Sequence, residues 1–301
     1  MKLRSIAFVF PLAGLSLSAF AEDTKNYSYR TPAAQKADEI EDLGEITAAD
    51  EGGAESDGKS TPVPEELKKK FRFNVSTRAE YTSNARLTGN HSSSDLLFLP
   101  TIEAGYNTSL GKYFTFDLAT RIESGLFTEH GERAFWGYSA IATLDYRPRP
   151  NLPRVYVSAE PYRFDSLDTG DKITQAVGLS AGTDWGIGFN SGRSLVFAGY
   201  IYSHYFSDPS IDDRHTHRAT IGLAHQLRQN LIGQLFYTFQ YNDFTEISRR
   251  DSKHVLGANL VYQFSERLFG TLTSNFIDND SNSEFASYQA VTAGVGLTLQ
   301  F

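Results

Sequence analysis

The sequence has 301 residues, no Cys and a formal net charge of -8, with 22 Phe, 16 Tyr and 24 Gly against a single Met. The absence of Cys excludes disulfide frameworks, thiolate zinc sites and cysteine nucleophiles. Aromatic residues suit a pleated surface and Gly weakens helices, so this composition favours many short strands over long helices. We therefore predict an all-β protein.

The first 21 residues have the features of an export signal. Two basic residues precede an apolar run, and Ala19-Phe20-Ala21 forms a small-x-small cleavage pattern. We predict a secretory signal peptide over residues 1–21; the alternative, a membrane anchor, is disfavoured because the apolar run is short and contains Pro11. Beyond this segment no apolar run is long enough for a transmembrane helix, whereas transmembrane β-strands remain allowed.

Residues 22–70 form an acidic segment. They include 13 acidic and 7 basic residues and few apolar ones, so they cannot build a hydrophobic core. We predict a flexible periplasmic segment in which residues 33–45 could form one weak helix. A plug in the lumen and a helix that binds a periplasmic partner are the alternatives.

From residue 71 onward the chain divides into runs with two-residue alternation, each bounded by turn-forming residues. Twelve such runs are predicted as strands: 71–82, 95–108, 113–128, 134–147, 154–164, 173–189, 194–206, 214–227, 231–243, 252–264, 268–279 and 288–301. Most connections alternate between short turns and longer polar loops, with 129–133 as a short exception. An even number of antiparallel strands with turns of this kind predicts a transmembrane up-and-down β-barrel over 71–301.

The two faces of the predicted strands support a barrel in lipid. In the last strand, the odd positions from Val291 to Phe301 are apolar and the even positions are small or polar. Aromatic residues also cluster at the ends of the apolar faces, as the interfacial girdles of a membrane barrel do. These residues are Phe71, Tyr106, Trp136, Tyr146, Trp185, Phe189, Tyr241, Tyr262 and Phe301.

These features resemble those of bacterial outer-membrane β-barrel proteins. The final strand YQAVTAGVGLTLQF ends in Phe301, and the resemblance implies that the barrel-assembly machinery reads this strand and its terminal aromatic residue. The stretches NLVYQFSERLFGTLTSNF and DSNSEFASYQAVTAGVGLTLQF are more narrowly similar to the β-barrel porins of exported-protein families. The resemblance covers residues 71–301 and supplies no active-site residues.

Ten charged residues occupy the face that is predicted to point inward: Arg72, Arg78, Glu80, Glu103, Asp117, Arg121, Glu123, Glu160, Asp184 and Arg218. Unpaired ions in a dry interior would be costly, so we expect a polar, hydrated lumen. The charges either brace the barrel or form a constriction that orients solutes. If the turn at 109–112 sets the register, Glu103 should lie near Asp117 and Arg121 near Thr101, and the excess of carboxylates would favour cations.

Three His residues, His204, His215 and His217, lie near one predicted loop, and solvated loop residues are a better interpretation of them than a metal site. The run Asp278–Ser283 superficially resembles a calcium loop, but its sixth position is Ser rather than the required Gly. We therefore predict no metal and no cofactor.

A lipase in the membrane would need a Ser and a His close together on the lipid-facing side of adjacent strands. The best pair is Ser203 and His225, and we expect these residues to lie about 20 Å apart, because Ser203 should pair with Arg218. We therefore predict no enzymatic activity, and a lipid-modifying enzyme is only a third hypothesis.

The sequence leads to two main functional hypotheses. The first is a porin-like channel in the bacterial outer membrane, for passive or weakly selective passage of small polar solutes. The alternative is a non-enzymatic barrel that supports export or assembly, for example of a polysaccharide, through a periplasmic partner bound by residues 22–70. The expected partners are outer-membrane lipid and the barrel-assembly machinery, and no nucleic acid.

Overall fold

A computed structural model describes residues 71–87, 93–149, 152–190 and 192–301. The predicted signal peptide and acidic segment lie outside the described residues. Twelve antiparallel strands form one closed barrel in which each strand pairs with its neighbours in sequence and β1 pairs with β12. The strands are β1 (Phe71–Thr82), β2 (Asp95–Leu110), β3 (Phe114–Phe127), β4 (Phe135–Tyr146), β5 (Arg154–Ser166), β6 (Lys172–Phe189), β7 (Ser194–Asp208), β8 (Arg214–Arg228), β9 (Leu231–Phe244), β10 (Arg250–Gln263), β11 (Leu268–Ser281) and β12 (Tyr288–Gln300).

This architecture confirms the predicted fold. Side chains alternate along each strand between the outer surface and the interior, as the period of a strand requires. In β1, Phe71, Phe73 and Tyr81 are exposed on the outer surface while Glu80 is buried inside. The outer surface therefore carries the apolar side chains, and the residues predicted to form aromatic girdles lie on it. No helix among the described residues is long and apolar enough to cross a membrane.

The two ends of the barrel differ in their connections. One end, termed here the short-turn end, carries the connections 111–113, 147–153, 190–193, 229–230 and 264–267. The other, the long-loop end, carries 83–94, 128–134, 167–171, 209–213, 245–249 and 282–287, three of which contain a short 3-10 turn. The alternation is less regular than predicted, since 147–153 is as long as 128–134. The barrel begins and ends at the short-turn end, where the Phe301 backbone N–H donates to the Phe73 carbonyl oxygen at 3.0 Å.

The interior is less uniformly polar than the sequence predicts. Two clusters of buried apolar side chains point inward, mainly in the half of the barrel nearest the long-loop end. One comprises Leu97, Leu99, Phe135, Tyr162, Phe164, Ile173, Ala176 and Tyr205; the other comprises Leu87, Phe236, Val255, Ile277, Tyr288 and Ala290. The lumen is therefore lined by apolar as well as polar side chains, and the apolar ones pack against each other near the long-loop end.

Part of the β1–β2 connection folds into the mouth of the barrel. Leu87 is only 2% exposed and packs in the second apolar cluster, against strands on the far side of the β1–β12 closure. The Asn84 side chain donates to the Gln289 carbonyl oxygen at 3.1 Å, and Arg133 Nη1 donates to the Ala85 carbonyl oxygen at 3.2 Å. Residues 84–87 thus narrow the lumen at the long-loop end.

Hydrogen bonds to the Asp95 carboxylate connect the start of β2 with the β3–β4 connection. Its carboxylate accepts hydrogen bonds from the backbone N–H groups of Thr128, Glu129 and His130, and from the Thr128 hydroxyl at 2.6 Å. The His130 ring adds a contact of 2.8 Å. Since the Asp95 side chain is fully buried, these donors would have no replacement for the carboxylate if it were removed.

We predict that Asp95→Ala lowers the free energy of unfolding by about 3 kcal/mol, because buried N–H groups lose a charged acceptor. Urea unfolding of the barrel in lipid vesicles would measure this loss, and hydrogen exchange should speed up in residues 128–134. The control is Asp171→Ala, which removes an exposed carboxylate from a neighbouring connection. An equal loss in both variants would contradict the role of Asp95.

Candidate functional site: the charged lumen

All ten charged residues that were predicted to point inward face the lumen. They come from six strands, and each lies on the face opposite the exposed apolar residues of its own strand. The structure joins seven of them in ion pairs; these are Arg72, Arg78, Glu80, Glu103, Asp117, Arg121 and Asp184. Glu123, Glu160 and Arg218 are buried further along the lumen. The ion pairs therefore neutralise most of these ten charges.

Arg72 and Asp117 form a bidentate pair across an intervening strand. Arg72 Nη1 lies 2.5 Å from Asp117 Oδ2, and Nη2 lies 2.9 Å from Oδ1. Arg72 belongs to β1 and Asp117 to β3, so the pair spans β2 on the lumen side. Two parallel hydrogen bonds hold the planar guanidinium in one orientation.

Glu103 pairs with Arg121, which corrects the predicted register of β2 and β3. Arg121 Nη2 lies 2.7 Å from Glu103 Oε2, and Nε also donates to this oxygen at 3.0 Å. In the observed register Asp117 lies opposite Asn107, and Thr101 lies opposite Glu123. The expectation was wrong because the hairpin turn is at 111–113, where Gly111 has a φ of +79°, rather than at 109–112. Glu103 and Asp117 are therefore not register partners, and both carboxylates lie beside Arg72, whose Nε is 3.7 Å from Glu103 Oε1.

A second bridge lies near the short-turn end, and two of its members were not predicted from the sequence. Arg154 Nη1 donates to Asp145 at 2.9 Å, and its Nη2 donates to Asp184 at 2.8 Å. The three residues come from β4, β5 and β6. The alternation that placed Asp184 inward could have found Arg154 and Asp145 as well, since their sequence neighbours are apolar and face outward.

The charged side chains occupy one side of the lumen more than the other. Inward positions of β1 to β6 carry the ion pairs described above, whereas those of β7, β9, β11 and β12 carry no charged side chain among the described residues. Polar contacts on that side join neutral groups, such as Asn275 Nδ2 and Thr292 Oγ1 at 3.0 Å, or Asn242 and Thr216 at 2.9 Å. The bridged ion pairs are therefore concentrated on β1 to β6, whereas the other half of the lumen combines neutral polar groups with four charged residues of β8 and β10, namely Arg214, Arg218, Asp251 and Lys253.

Ser203 and His225 do not form the pair that the lipase hypothesis needs. Ser203 pairs with Thr216 rather than Arg218, and its buried side chain faces the lumen, where it contacts Ser180. His225 instead faces outward, and its Nδ1 lies 2.8 Å from the hydroxyl of Ser194. This contact was not predicted from the sequence, because it depends on the register of β7 with β8, which places Ser194 opposite His225. No carboxylate of the described residues contacts His225, so a third catalytic partner is missing from that part of the chain.

The His residues near the β7–β8 connection lie in strands, on the outer surface. His215 Nδ1 lies 2.7 Å from the Tyr202 hydroxyl and 3.0 Å from His204 Nδ1, and His217 Nδ1 lies 2.7 Å from the Tyr200 hydroxyl. They are therefore not the solvated loop residues that the sequence suggested. Within the described ranges no group of three His, Asp or Glu side chains is arranged to hold a metal ion.

Residues 206–301, from the end of β7 onward, match the family described as "Putative beta-barrel porin 2". No curated protein matches the sequence. The match covers the two stretches whose resemblance to β-barrel porins was noted from the sequence, and it confirms that resemblance.

Solved structures of outer-membrane proteins share the fold. An outer membrane channel from Pseudomonas putida F1 is 11% identical, with a TM-score of 0.53 over 83% of this chain and 100% of that chain. The translocator domain of the autotransporter NalP from Neisseria meningitidis is 12% identical, with a TM-score of 0.46 over 79% of this chain and 90% of that chain. The KdgM porin is 9% identical, with a TM-score of 0.45 over 76% and 99% of the two chains. The chain therefore has the barrel fold of such proteins, and over residues 206–301 it is similar to that family of β-barrel porins.

We predict that Arg154→Met lowers the free energy of unfolding by about 3 kcal/mol, because Asp145 and Asp184 would face each other without their shared cation. Urea unfolding in vesicles at neutral pH would measure the change. Adding Asp145→Asn and Asp184→Asn to Arg154→Met should restore most of the stability, since the two carboxylates are then neutral. A triple variant as unstable as Arg154→Met would contradict the electrostatic origin of the effect.

Asp212 lies in the β7–β8 connection, outside the strands, and is buried. Burial raises the pKa of its carboxyl group to about 7, although the guanidinium groups of Arg214 and Arg249 oppose the shift. The ordinary pKa is 3.8, so the folded connection holds its proton more tightly than an unfolded chain does. The connection should therefore lose stability as the pH rises from about 4 to about 7, and change little above that.

Hydrogen exchange in residues 209–213 would test this prediction. After correction for the intrinsic rate, the opening equilibrium should increase by at most about tenfold per pH unit between pH 5 and pH 7. Asp212→Asn should remove the pH dependence, because the amide cannot ionise. Asp168→Asn, at an exposed position in another connection, is the control and should leave the dependence intact.

Proposed function

We propose that the protein is a channel of the bacterial outer membrane that lets small polar solutes pass passively or with weak selectivity. The observation that supports this proposal best is the wall of paired charges inside the closed barrel. Paired Arg and carboxylate groups offer both signs of charge to a solute without leaving a strong net field at the wall. Such a surface can replace part of the hydration shell of a polar solute as it passes.

We further propose that the barrel is non-enzymatic, is exported with the help of residues 1–21 and lies in outer-membrane lipid. Phe301 is exposed on the outer surface, and its ring packs 5.7 Å from that of Phe73 at the closure of the barrel. This position at the free end of the last strand fits an assembly signal that the barrel-assembly machinery recognises before closure. Its recognition stays a prediction.

A specific observation favours the second candidate, a barrel that supports export or assembly with a periplasmic partner of residues 22–70. The inserted residues 84–87 and the two buried apolar clusters fill much of the interior near the long-loop end. A lumen narrowed in this way could serve as a scaffold rather than as an open path. Conduction by the purified protein distinguishes the two candidates.

Planar-bilayer recordings of the full-length protein should show discrete channels. Arg121→Ser should increase the single-channel conductance and shift the reversal potential in a salt gradient toward cations, because Glu103 loses its Arg partner in the lumen. Replacing Glu103 with Gln and Asp117 with Asn should shift the reversal potential toward anions, since Arg121 and Arg72 then lack their carboxylates.

The matched control is Arg163→Ser, which removes an Arg that pairs with Asp165 at 2.8 Å outside the lumen. Its conductance and selectivity should equal those of the wild type. If the wild type forms no channels and neither lumen variant opens one, the charges serve as a brace and the export or assembly candidate replaces the channel.

A further inference from the structure

The short-turn end of the barrel carries a ring of cationic side chains, which we term the cationic collar. It consists of Lys112, Arg147, Arg149, Arg193, Arg228 and Arg267. All are exposed except Arg147, which is half-buried, and they come from all five connections at this end or the strand residue next to them. Glu266 is the single acidic residue in these connections.

Five of the six collar residues have no ion-pair partner in the described part of the barrel. Lys112 lies over the ring of Tyr113, with its Nζ 5.3 Å from the ring centroid. No carboxylate of the described residues forms an ion pair with Lys112, Arg149, Arg193, Arg228 or Arg267. Cations at the long-loop end behave differently: Lys172 pairs with Asp208, Arg250 with Asp243 and Arg163 with Asp165.

The chain itself supplies a segment of opposite charge at the same end. Residues 22–67 contain 13 acidic and 4 basic residues, and they lead through Lys68–Lys70 into Phe71. Phe71 begins β1 opposite Tyr106, close to the connection 111–113, so the acidic segment joins the barrel at the collar. The acidic segment therefore has the charge opposite to that of the collar and is attached to the barrel beside it.

Simple chain dimensions allow the segment to reach the whole collar. A flexible chain of this length has a root-mean-square end-to-end distance of roughly 35–40 Å. The rim of a twelve-stranded barrel is about 25 Å across, from the strand spacing and the usual tilt. Tethering also gives the acidic residues a local concentration in the millimolar range, so contacts that are weak one by one act together.

We propose that residues 22–67 dock on the cationic collar at the short-turn end of the barrel. The attraction is between many exposed charges, so it depends on ionic strength and needs no single residue. Headgroups of anionic phospholipids carry the same charge and compete for the collar. Residues 22–67 have an advantage over lipid headgroups because they are attached to the barrel next to the collar. This inference does not rest on the channel proposal, because it concerns the position of the segment and not conduction.

The absence of Cys allows the position to be measured in the full-length chain. Asp42→Cys in the segment and Gln229→Cys beside the collar would carry spin labels, and electron–electron distance measurements would be made in zwitterionic detergent. At 50 mM salt we expect a dominant short-distance population, which is lost at 500 mM salt. The pair Asp42→Cys and Glu246→Cys, with the second label at the long-loop end, should show no short distances.

A collar variant and a matched control variant separate docking from general charge effects. Replacing Arg149, Arg193 and Arg228 with Gln should abolish the short-distance population at low salt. Replacing Arg163, Lys172 and Arg250 with Gln removes the same charge from the long-loop end and should leave that population intact. Heat-modifiable migration on gels verifies that each variant is a folded barrel.

Two results would overturn the proposal. One is a distance distribution that is equally broad in the wild type and in the collar variant, whatever the salt concentration. The other is obtained in vesicles at low salt: if phosphatidylglycerol abolishes the short distances that phosphatidylcholine vesicles retain, the collar binds lipid headgroups in the membrane instead of residues 22–67. Short distances in both kinds of vesicle support the proposal.

Discussion

The closure of β1 against β12 is the constraint on which the rest of the structure depends. In lipid no water is present to pair with backbone N–H and C=O groups, so a sheet is stable there only if it has no free edge. The register runs from Asn74 opposite Gln300 to Thr82 opposite Thr292, which pairs the first strand with the last over most of its length. With an even number of antiparallel strands, the start of β1 and the end of β12 lie at the same end of the barrel, and closure confines about half of the strand side chains inside.

This confinement explains how the interior is built. Charged groups that cannot reach bulk water are stable only near opposite charges or good hydrogen-bond partners. Arg72, Arg121 and Arg154 each meet carboxylates on nearby strands, whereas amide and hydroxyl groups supply many of the side-chain bonds of the opposite half. Where neither solution is used, as around Phe236 and Ile277, apolar side chains pack against one another. Charged, neutral polar and apolar side chains in the lumen are therefore each stabilised by partners of their own kind.

The sequence was sufficient to predict the strands, their number and their outward faces. The two-residue alternation can be recognised even when the ends of a strand are placed one or two residues away from their true positions. It was insufficient for properties that depend on register. A shift in the position of one turn moved Glu103 from Asp117 to Arg121, and only the pairing of β7 with β8 brings Ser194 to His225. The burial of Leu87 was also beyond prediction, since nothing in the local sequence shows that a polar connection folds back into the barrel.

The position of the ion pairs that bridge over an intervening strand has a mechanical consequence. The bridge from Arg72 to Asp117 connects β1 with β3, and Arg154 connects β4 with β6 through β5, so these strands are cross-linked over more than one neighbour. In the half formed by β7 to β12, side-chain bonds such as Asn242 to Thr216 and Asn275 to Thr292 join adjacent strands only. The barrel wall is therefore stiffer over the half formed by β1 to β6 than over the half formed by β7 to β12. Lateral pressure from the bilayer would flatten it into an ellipse mainly by bending the half formed by β7 to β12.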